Sequence, residues 1–243
     1  MVQRILATTI NGGDAWPGTY GDDNAGADSI TGSPGSDTIF GGGGADTLTG
    51  ASSDDQINGN AGDDVVAGGN DKDVIWGGQG NDTVSGDADS DWVLGDKGDD
   101  LVYGNGGNDS VWGGQGNDLV YAGQGADALF GGIGDDTLSG DQGPDTLAGG
   151  EGADRFVFRD SSALDRIVDF DPAGDDLVVI EIGPDGTING VPIPDIATLL
   201  SRIEDTPDGA FLHLCDCPVP SQGVTFVGIA KAQLTAADFL LVF

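Results

Sequence analysis

The heptapeptide WGGQGND stands at Trp76–Asp82 and again at Trp112–Asp118, thirty-six residues apart. Thirty-six is four times nine, and the ninefold interval organises most of the 243-residue chain. Every ninth residue from Asp28 is an aspartate: Asp28, Asp37, Asp46, Asp55, Asp64, Asp73, Asp82, Asp91, Asp100, Asp109, Asp118, Asp127, Asp136, Asp145 and Asp154. Two residues further on the frame is always apolar, from Ile30 and Ile39 through Val102 and Val111 to Leu147 and Phe156. Glycine precedes each aspartate by five residues except at Asp23 and Ala122, and by two residues except at Ser53, Asp71 and Asp89. The consensus is G-G-x-G-x-D-x-U-x with U apolar, unbroken from about Asp23 to Val157. A fixed period of this kind marks a solenoid whose repeats stack on one another.

Composition points the same way. Forty-five glycines and a formal charge of −34 are far from ordinary globular usage. Only Glu151, Glu181 and Glu204 are glutamates, so the acid is almost all aspartate, the carboxylate suited to tight turns and hard cations. Such a surface repels nucleic acid and anionic membranes and attracts multivalent cations. No stretch has the roughly 18 apolar residues of a membrane span, and the apolar run within Met1–Ile10 is too short for a secretory signal peptide. Cys215 and Cys217, two residues apart, make no disulfide framework.

A coil that turns within a few residues needs backbone angles open to glycine. One apolar side chain per nine residues is a thin return for ordering so glycine-rich a chain, and columns of aspartate add repulsion. A hard cation resolves both difficulties, since it takes six to eight oxygens from carboxylates and from carbonyls that the turns point inward.

The nonapeptide resembles the RTX, or haemolysin-type calcium-binding, repeat, and the resemblance covers residues 23 to 157. It implies an all-β, right-handed parallel β-roll with two nonapeptides per coil, each a six-residue metal-binding turn and a three-residue strand. It also implies Ca2+ between turns eighteen residues apart. One side then pairs Asp28, Asp46, Asp64, Asp82, Asp100, Asp118, Asp136 and Asp154; the other pairs Asp37, Asp55, Asp73, Asp91, Asp109, Asp127 and Asp145. The turn glycines expected to contribute are Gly41, Gly59, Gly77, Gly95, Gly113 and Gly131, with Gly44, Gly62, Gly80, Gly98, Gly116 and Gly134. Seven gaps and six gaps allow at most thirteen ions, whose +26 would bring −34 to −8, an ordinary charge for a soluble protein. The three turns without glycine, at Ser53, Asp71 and Asp89, lie on one side, so calcium is expected to be weak or missing at Asp55, Asp73 and Asp91.

The residue before each repeat boundary faces outward, and at eighteen-residue spacing it reads Phe40, Asn58, Trp76, Leu94, Trp112, Phe130. The opposite face carries Tyr103 and Tyr121, and Trp92, Leu101 and Leu119 add to the outer surface. An apolar stripe of this size marks a contact. Its candidate covers are the C-terminal region, a second copy of the chain in a homodimer, or a polysaccharide or cell surface.

Other motifs dissolve into the repeat. Asp87, Asp89 and Asp91 imitate the start of an EF-hand, but Trp92 stands where that loop needs glycine. Gly41–Gly44 lacks a P-loop lysine and a following helix. His213 is the single histidine, which excludes H-E-x-x-H zinc chemistry and leaves a serine triad without context. Among 42 acids no region stands apart as a glycosidase-like domain, so no enzyme is expected.

The ends differ from the array. Residues 1–22 read as an N-terminal cap, including Ile5–Ile10 and a turn-rich stretch with Trp16, Pro17 and Tyr20. Residues 158–243 read as a mostly-β cap with one short helix. RIVDFDPAGDDLVVIEI, Arg166–Ile182, places strands about a turn with Asp169, Asp171, Asp175 and Asp176, which could hold a further calcium or simply be solvated. Ile196–Ile203 after Asp195 has helical spacing, and Ala210–Leu214 and Val224–Ile229 read as strands. The final Asp238 and Phe239–Phe243 are similar to C-terminal signals of RTX proteins exported by type I secretion machinery, and also suit a capping strand. The resemblance thus implies a secreted, extracellular calcium-binding protein.

Overall fold

The computed structural model describes residues 10–11, 19–21, 26–159, 163–182, 187–188, 190–214 and 222–243, with side chains from residue 26 onward. Trp16, Pro17, Asp23, Cys215, Cys217 and the side chain of Tyr20 lie outside that description.

Strands β1 (Ile10–Asn11), β2 (Thr19–Gly21) and β3 (Ser29–Thr31) lead into thirteen six-residue strands, β4 (Thr38–Gly43) to β16 (Thr146–Glu151), which begin every nine residues. Then follow β17 (Arg155–Phe158), β18 (Leu164–Ile167), β19 (Leu177–Glu181), β20 (Thr187–Ile188), β21 (Val191–Pro192), α1 (Ile196–Ser201), β22 (Ile203–Thr206), β23 (Gly209–His213), β24 (Gly223–Val227) and β25 (Phe239–Val242). Odd strands β1 to β19 form one parallel sheet that ends on β25; even strands β2 to β18 form the other, which ends on β24, β23 and β22. Registers such as Val93↔Val111 and Val102↔Val120 confirm eighteen residues per winding. The fold is an all-β parallel solenoid of two nonapeptides per coil.

Strand length departs from the expectation. Pairing runs through six residues and leaves three for the turn, because residues on the glycine side of each strand, such as Asp96↔Gly114 and Lys97↔Gln115, stay in register with the next winding. Within a strand the apolar residue and the glycine two places later both face inward. In the strand Trp92–Lys97, for instance, Val93 and Gly95 are buried while Trp92 and Lys97 are exposed. The interior is therefore a column of Ile, Leu and Val from each sheet, every member from Ile39 to Leu147 at most 1% exposed.

Glycine serves two purposes in each winding. At Gly113 the backbone is ordinary but space is absent: a Cβ would lie 2.4 Å from Asp118 Oδ2 and 2.7 Å from the Gly131 carbonyl oxygen. At Gly116 φ is +134°, a left-handed conformation that side chains resist.

The sheets continue where the glycine frame stops. β17 pairs with β19 and β19 with β25, while β18 pairs with β24, so the C-terminal segment extends both sheets. Helix α1 opens as expected, with Asp195 accepting the Thr198 amide at 2.7 Å, and it is shorter than its apolar spacing suggests because Ile203 starts β22. No helix among the described residues is long and apolar enough to cross a membrane.

The contrast between crowded and open glycines is testable by substitution. Gly113→Ala is expected to destabilise by about 2 kcal/mol or more. Gly106→Ala, where the nearest atom to a new Cβ is 3.6 Å away, is expected to be neutral or to stabilise by up to about 1 kcal/mol. Paired thermal and denaturant unfolding curves check both.

Candidate metal centre

Each in-frame aspartate sits at the end of a turn, just before a strand, with its side chain turned inside the coil. All fifteen are buried, from Asp28 at 8% exposed to Asp118 and Asp136 at 0%. One carboxylate oxygen is tied to the winding before it. Asp118 Oδ1 accepts the Asp100 amide at 2.8 Å, and Asp127 Oδ1 accepts that of Asp109 at 2.8 Å. The same bond recurs from Asp46 to Asp154, always over eighteen residues.

The second oxygen has no such tie. From Asp55 to Asp154, Oδ2 of every in-frame aspartate is buried and has no hydrogen-bond partner. Except at Asp127, where Ala122 takes the glycine's place, it occupies the space beside the glycine five residues earlier. Asp82 Oδ2 and the Gly95 carbonyl oxygen lie 2.6 and 2.7 Å from where a Cβ of Gly77 would stand. Asp100 Oδ2 and the Gly113 carbonyl meet in the same way at Gly95, as do Asp118 Oδ2 and the Gly131 carbonyl at Gly113. A carboxylate of one winding and a carbonyl of the next thus converge on each glycine of the set Gly41, Gly59, Gly77, Gly95, Gly113 and Gly131. At Gly44, Gly62, Gly80, Gly98, Gly116 and Gly134 the closest neighbour is the carbonyl group of the matching glycine one winding back.

Buried anionic oxygens without donors are costly unless a cation meets them. Among the described residues no three His, Cys, Asp or Glu side chains gather at one point. The oxygen set instead combines stacked carboxylates with main-chain carbonyls, the chemistry of a hard cation such as Ca2+ rather than of zinc.

The electrostatics of the bare coil carry the same strain. Burial, only partly offset by the ladder amide, pushes the carboxyl pKa up to about 6 at Asp55, Asp118, Asp127 and Asp154. It reaches about 7 at Asp73, Asp82, Asp100 and Asp136, and about 8 at Asp91 and Asp145, with neighbouring carboxylates adding to the rise.

These geometries coincide with an independent finding. A family model described as the RTX calcium-binding nonapeptide repeat matches residues 18–57, 49–84, 85–120, 103–138 and 130–158, together more than half of the chain. The chain belongs to the RTX calcium-binding repeat family. Its repeats are therefore calcium-binding, in a β-roll. A search of curated proteins finds no match.

Within this RTX array the two sides are alike but not identical. Ser53, Asp71 and Asp89 keep the left-handed turn at φ of 71° to 74°, against 114° to 151° for Gly44 to Gly152 at the same position. Their amides also bond differently: those of Ser53 and Asp71 donate to the carboxylates of Asp71 and Asp89 at 3.1 and 3.3 Å, whereas Gly62 donates to the Gln79 carbonyl at 2.7 Å. The cradles of Asp55 and Asp73 nonetheless match the rest, pairing their Oδ2 atoms with the Gly68 and Gly86 carbonyls. Asp37 differs in another way, since its Oδ2 accepts the Ser33 amide within its own turn at 2.5 Å.

Two features escape the sequence frame. From Asp63 to Asp135 on one side, the residues just before the ladder aspartates form an outer ladder: Asn81, Asp99, Asn117 and Asp135 amides donate to the Asp63, Asn81, Asp99 and Asn117 side chains at 2.7 to 3.0 Å. Aspartate and asparagine alternate there, which is the signal that marked it. The second feature is the pair Asp165 and Asp176, which lie beyond the last repeat and out of frame. The aromatic stripe is in register as expected, from Phe40 through Asn58, Trp76, Leu94 and Trp112 to Phe130. His213 contacts Glu204 at 3.0 Å and packs edge-on to Phe211.

The raised carboxyls fix the sign of a pH effect. Between pH 4 and 8 the metal-free coil holds more protons than the unfolded chain, so its stability falls as pH rises through that window. In excess chelator, the unfolding midpoint in urea is expected to be highest near pH 4 and to decline toward pH 8, the reverse of ordinary acid denaturation.

Proposed function

We propose that the chain is a secreted, non-enzymatic calcium-binding protein whose β-roll folds as it takes up the ion. The observation that carries this reading is the run of buried Asp Oδ2 atoms without donors from Asp55 to Asp154. The ligand residues on this reading are the in-frame aspartates Asp28 to Asp154 and the carbonyls of the turn glycines facing them. Calcium supplies the positive charge that lets these carboxylates stay ionised inside the coil. The chain's own residues do the rest. The ladder bonds hold each Oδ1, the glycines leave room for the ion, and the apolar columns exclude water.

Coupling follows from the same balance. At neutral pH the unfolded chain keeps its aspartates ionised and hydrated, and burying them bare is unfavourable, so metal binding and folding become one event. Low calcium inside a cell and high calcium outside would then keep the chain extended for type I export and fold it on arrival. The altered φ at Ser53, Asp71 and Asp89 supports weaker sites at Asp55, Asp73 and Asp91.

Titrating calcium into chelated protein at pH 7.5 tests the coupling. Far-UV circular dichroism is expected to pass from disordered to β in one cooperative step, with Asp100→Asn and Asp118→Asn each raising the midpoint several-fold. Full β signal in excess chelator at that pH overturns it.

A second reading, an extracellular polysaccharide-binding module, has one observation in its favour. Asn58 interrupts the stripe and leaves a notch of about 230 Å3 lined by Phe40, Gln56, Asn58 and Trp76. The stripe farther along is less suited to sugar. Trp112 is stacked between Trp92 at 5.4 Å and Phe130 at 5.2 Å, so both of its ring faces are used. The C-terminal strands extend the sheets at their ends instead of crossing this face, and Phe40 and Trp92 remain 39% and 53% exposed. On this reading glycan-array binding is lost in Trp76→Ala and kept in Trp112→Ala; no binding by the wild type sinks it.

A further inference from the structure

The nonapeptide frame ends at Val157 and the family match at residue 158, but the carboxylate ladder continues. Asp165 Oδ1 accepts the Asp145 amide at 3.0 Å, and Asp176 Oδ1 accepts the Asp154 amide at 3.1 Å. The return bonds follow too, from the Arg166 amide to the Asp145 carbonyl at 2.9 Å and from the Leu177 amide to the Asp154 carbonyl at 2.7 Å. These are the bonds that Asp127 and Ala128 make with Asp109 inside the array, at 2.8 and 2.9 Å. The spacings are 20 and 22 residues instead of 18, and the layer itself is preserved.

Both added aspartates are buried, Asp165 at 3% and Asp176 at 6% exposed. Facing them, Asp145 and Asp154 are each 1% exposed and keep an Oδ2 with no hydrogen-bond partner. Those oxygens fill the space beside Gly140 and Gly149, as their counterparts do beside the matching glycines from Gly32 to Gly113 and beside Gly131. On the Asp154 side the neighbourhood is more acidic still. Asp169 covers the Gly149 and Gly150 amides, each at 3.0 Å, and Asp176 Oδ2 accepts the Asp171 amide at 2.7 Å.

We infer that the calcium column runs one layer past the repeats on both sides, with one ion between Asp145 and Asp165 and another between Asp154 and Asp176. This rests on the calcium reading of the ladder and adds two ions to those of the repeats. Asp165 lies in β18, which pairs with β24, and Asp176 precedes β19, which pairs with β25. The two closing ions therefore clamp the first strands of the cap onto the array.

The test uses the full-length chain, loaded with calcium, freed of excess ion and analysed for calcium per protein. Asp165→Asn and Asp176→Asn keep an Oδ1 for the ladder bond and remove the charge. Each is expected to lose one ion relative to the wild type, and the double variant two, with the calcium midpoint for folding raised several-fold. Folded variants that hold as many ions as the wild type overturn the inference. A calcium-loaded wild-type crystal measured near the calcium edge decides the matter without any variant. Anomalous peaks beside Asp165 and Asp176 support the added layer. Peaks within the repeats but none there overturn it while leaving the array reading intact, and no peaks anywhere overturn both.

Discussion

One geometric constraint runs through the molecule: from Asp46 to Asp154 each in-frame aspartate spends one oxygen on the amide of the aspartate a winding back and turns the other into a space lined by glycine, with Ala122 beside Asp127 the one exception in that range. The 2.8 Å bond between Asp100 and Asp118 fixes the carboxylate, and the missing Cβ of Gly113 leaves room beside it. Substituting the aspartate or the glycine disturbs the same volume. This is why the two residue types recur together, five positions apart, and why an aspartate serves where a glutamate would not. An extra methylene would carry the carboxylate past its ladder partner or into the cradle.

The same constraint sets the division of labour inside the coil. Two residues after the aspartate the chain turns an apolar side chain inward, so a charged column and a greasy column run side by side along each sheet. The apolar column is narrow, a single valine, leucine or isoleucine per strand over most of the array. Narrowness is what lets the two sheets lie close enough for turns to close in three residues. It also means that burial alone gives each winding little cohesion, and the ladders must carry the remainder. The outer ladder through Asp63, Asn81, Asp99 and Asn117 runs in the opposite sense to the inner one, its side chains accepting from the following winding where Asp118 accepts from the preceding one. Every winding in this stretch is held from both directions.

Much of this was legible in the sequence because the period is an integer. A nine-residue unit used twice per coil fixes the register, the inward residue, the column of aspartates and the alignment of Trp76 with Trp112, and all of these stand as expected. What was hidden is whatever does not repeat by nine. Asp165 and Asp176 occupy ladder positions after insertions of two and four residues, which periodicity cannot track. Strand length was hidden for another reason, since glycine-rich segments read as turn while their amides pair in parallel register. Positive φ at Asn60, Asp87, Asp96 and Asn105 was likewise masked, because asparagine and aspartate accept left-handed geometry where the consensus has glycine. The stripe was placed correctly, yet its composition gave no hint that Trp112 is packed face to face with its neighbours.

The C-terminal end shows what replaces the ladders when they stop. Phe156 meets Phe170 at 6.0 Å, Phe170 meets Phe226 edge-on at 5.3 Å, and Phe226 meets Phe239 at 6.2 Å. Around them Ile180, Ile193, Leu199, Leu212 and Val224 are fully buried, and the sheet closes with the antiparallel strands β22 to β24. This is a core of the ordinary kind, wider than the single column of the windings. Cohesion therefore changes character along the chain, from oxygen and charge in the windings to aromatic packing in the cap. On the calcium-coupled reading, removing the ion takes away what holds the windings and leaves the cap with its own. The layer of Asp165 and Asp176 is where the two regimes meet, which gives those residues a structural weight that their position outside the repeat conceals.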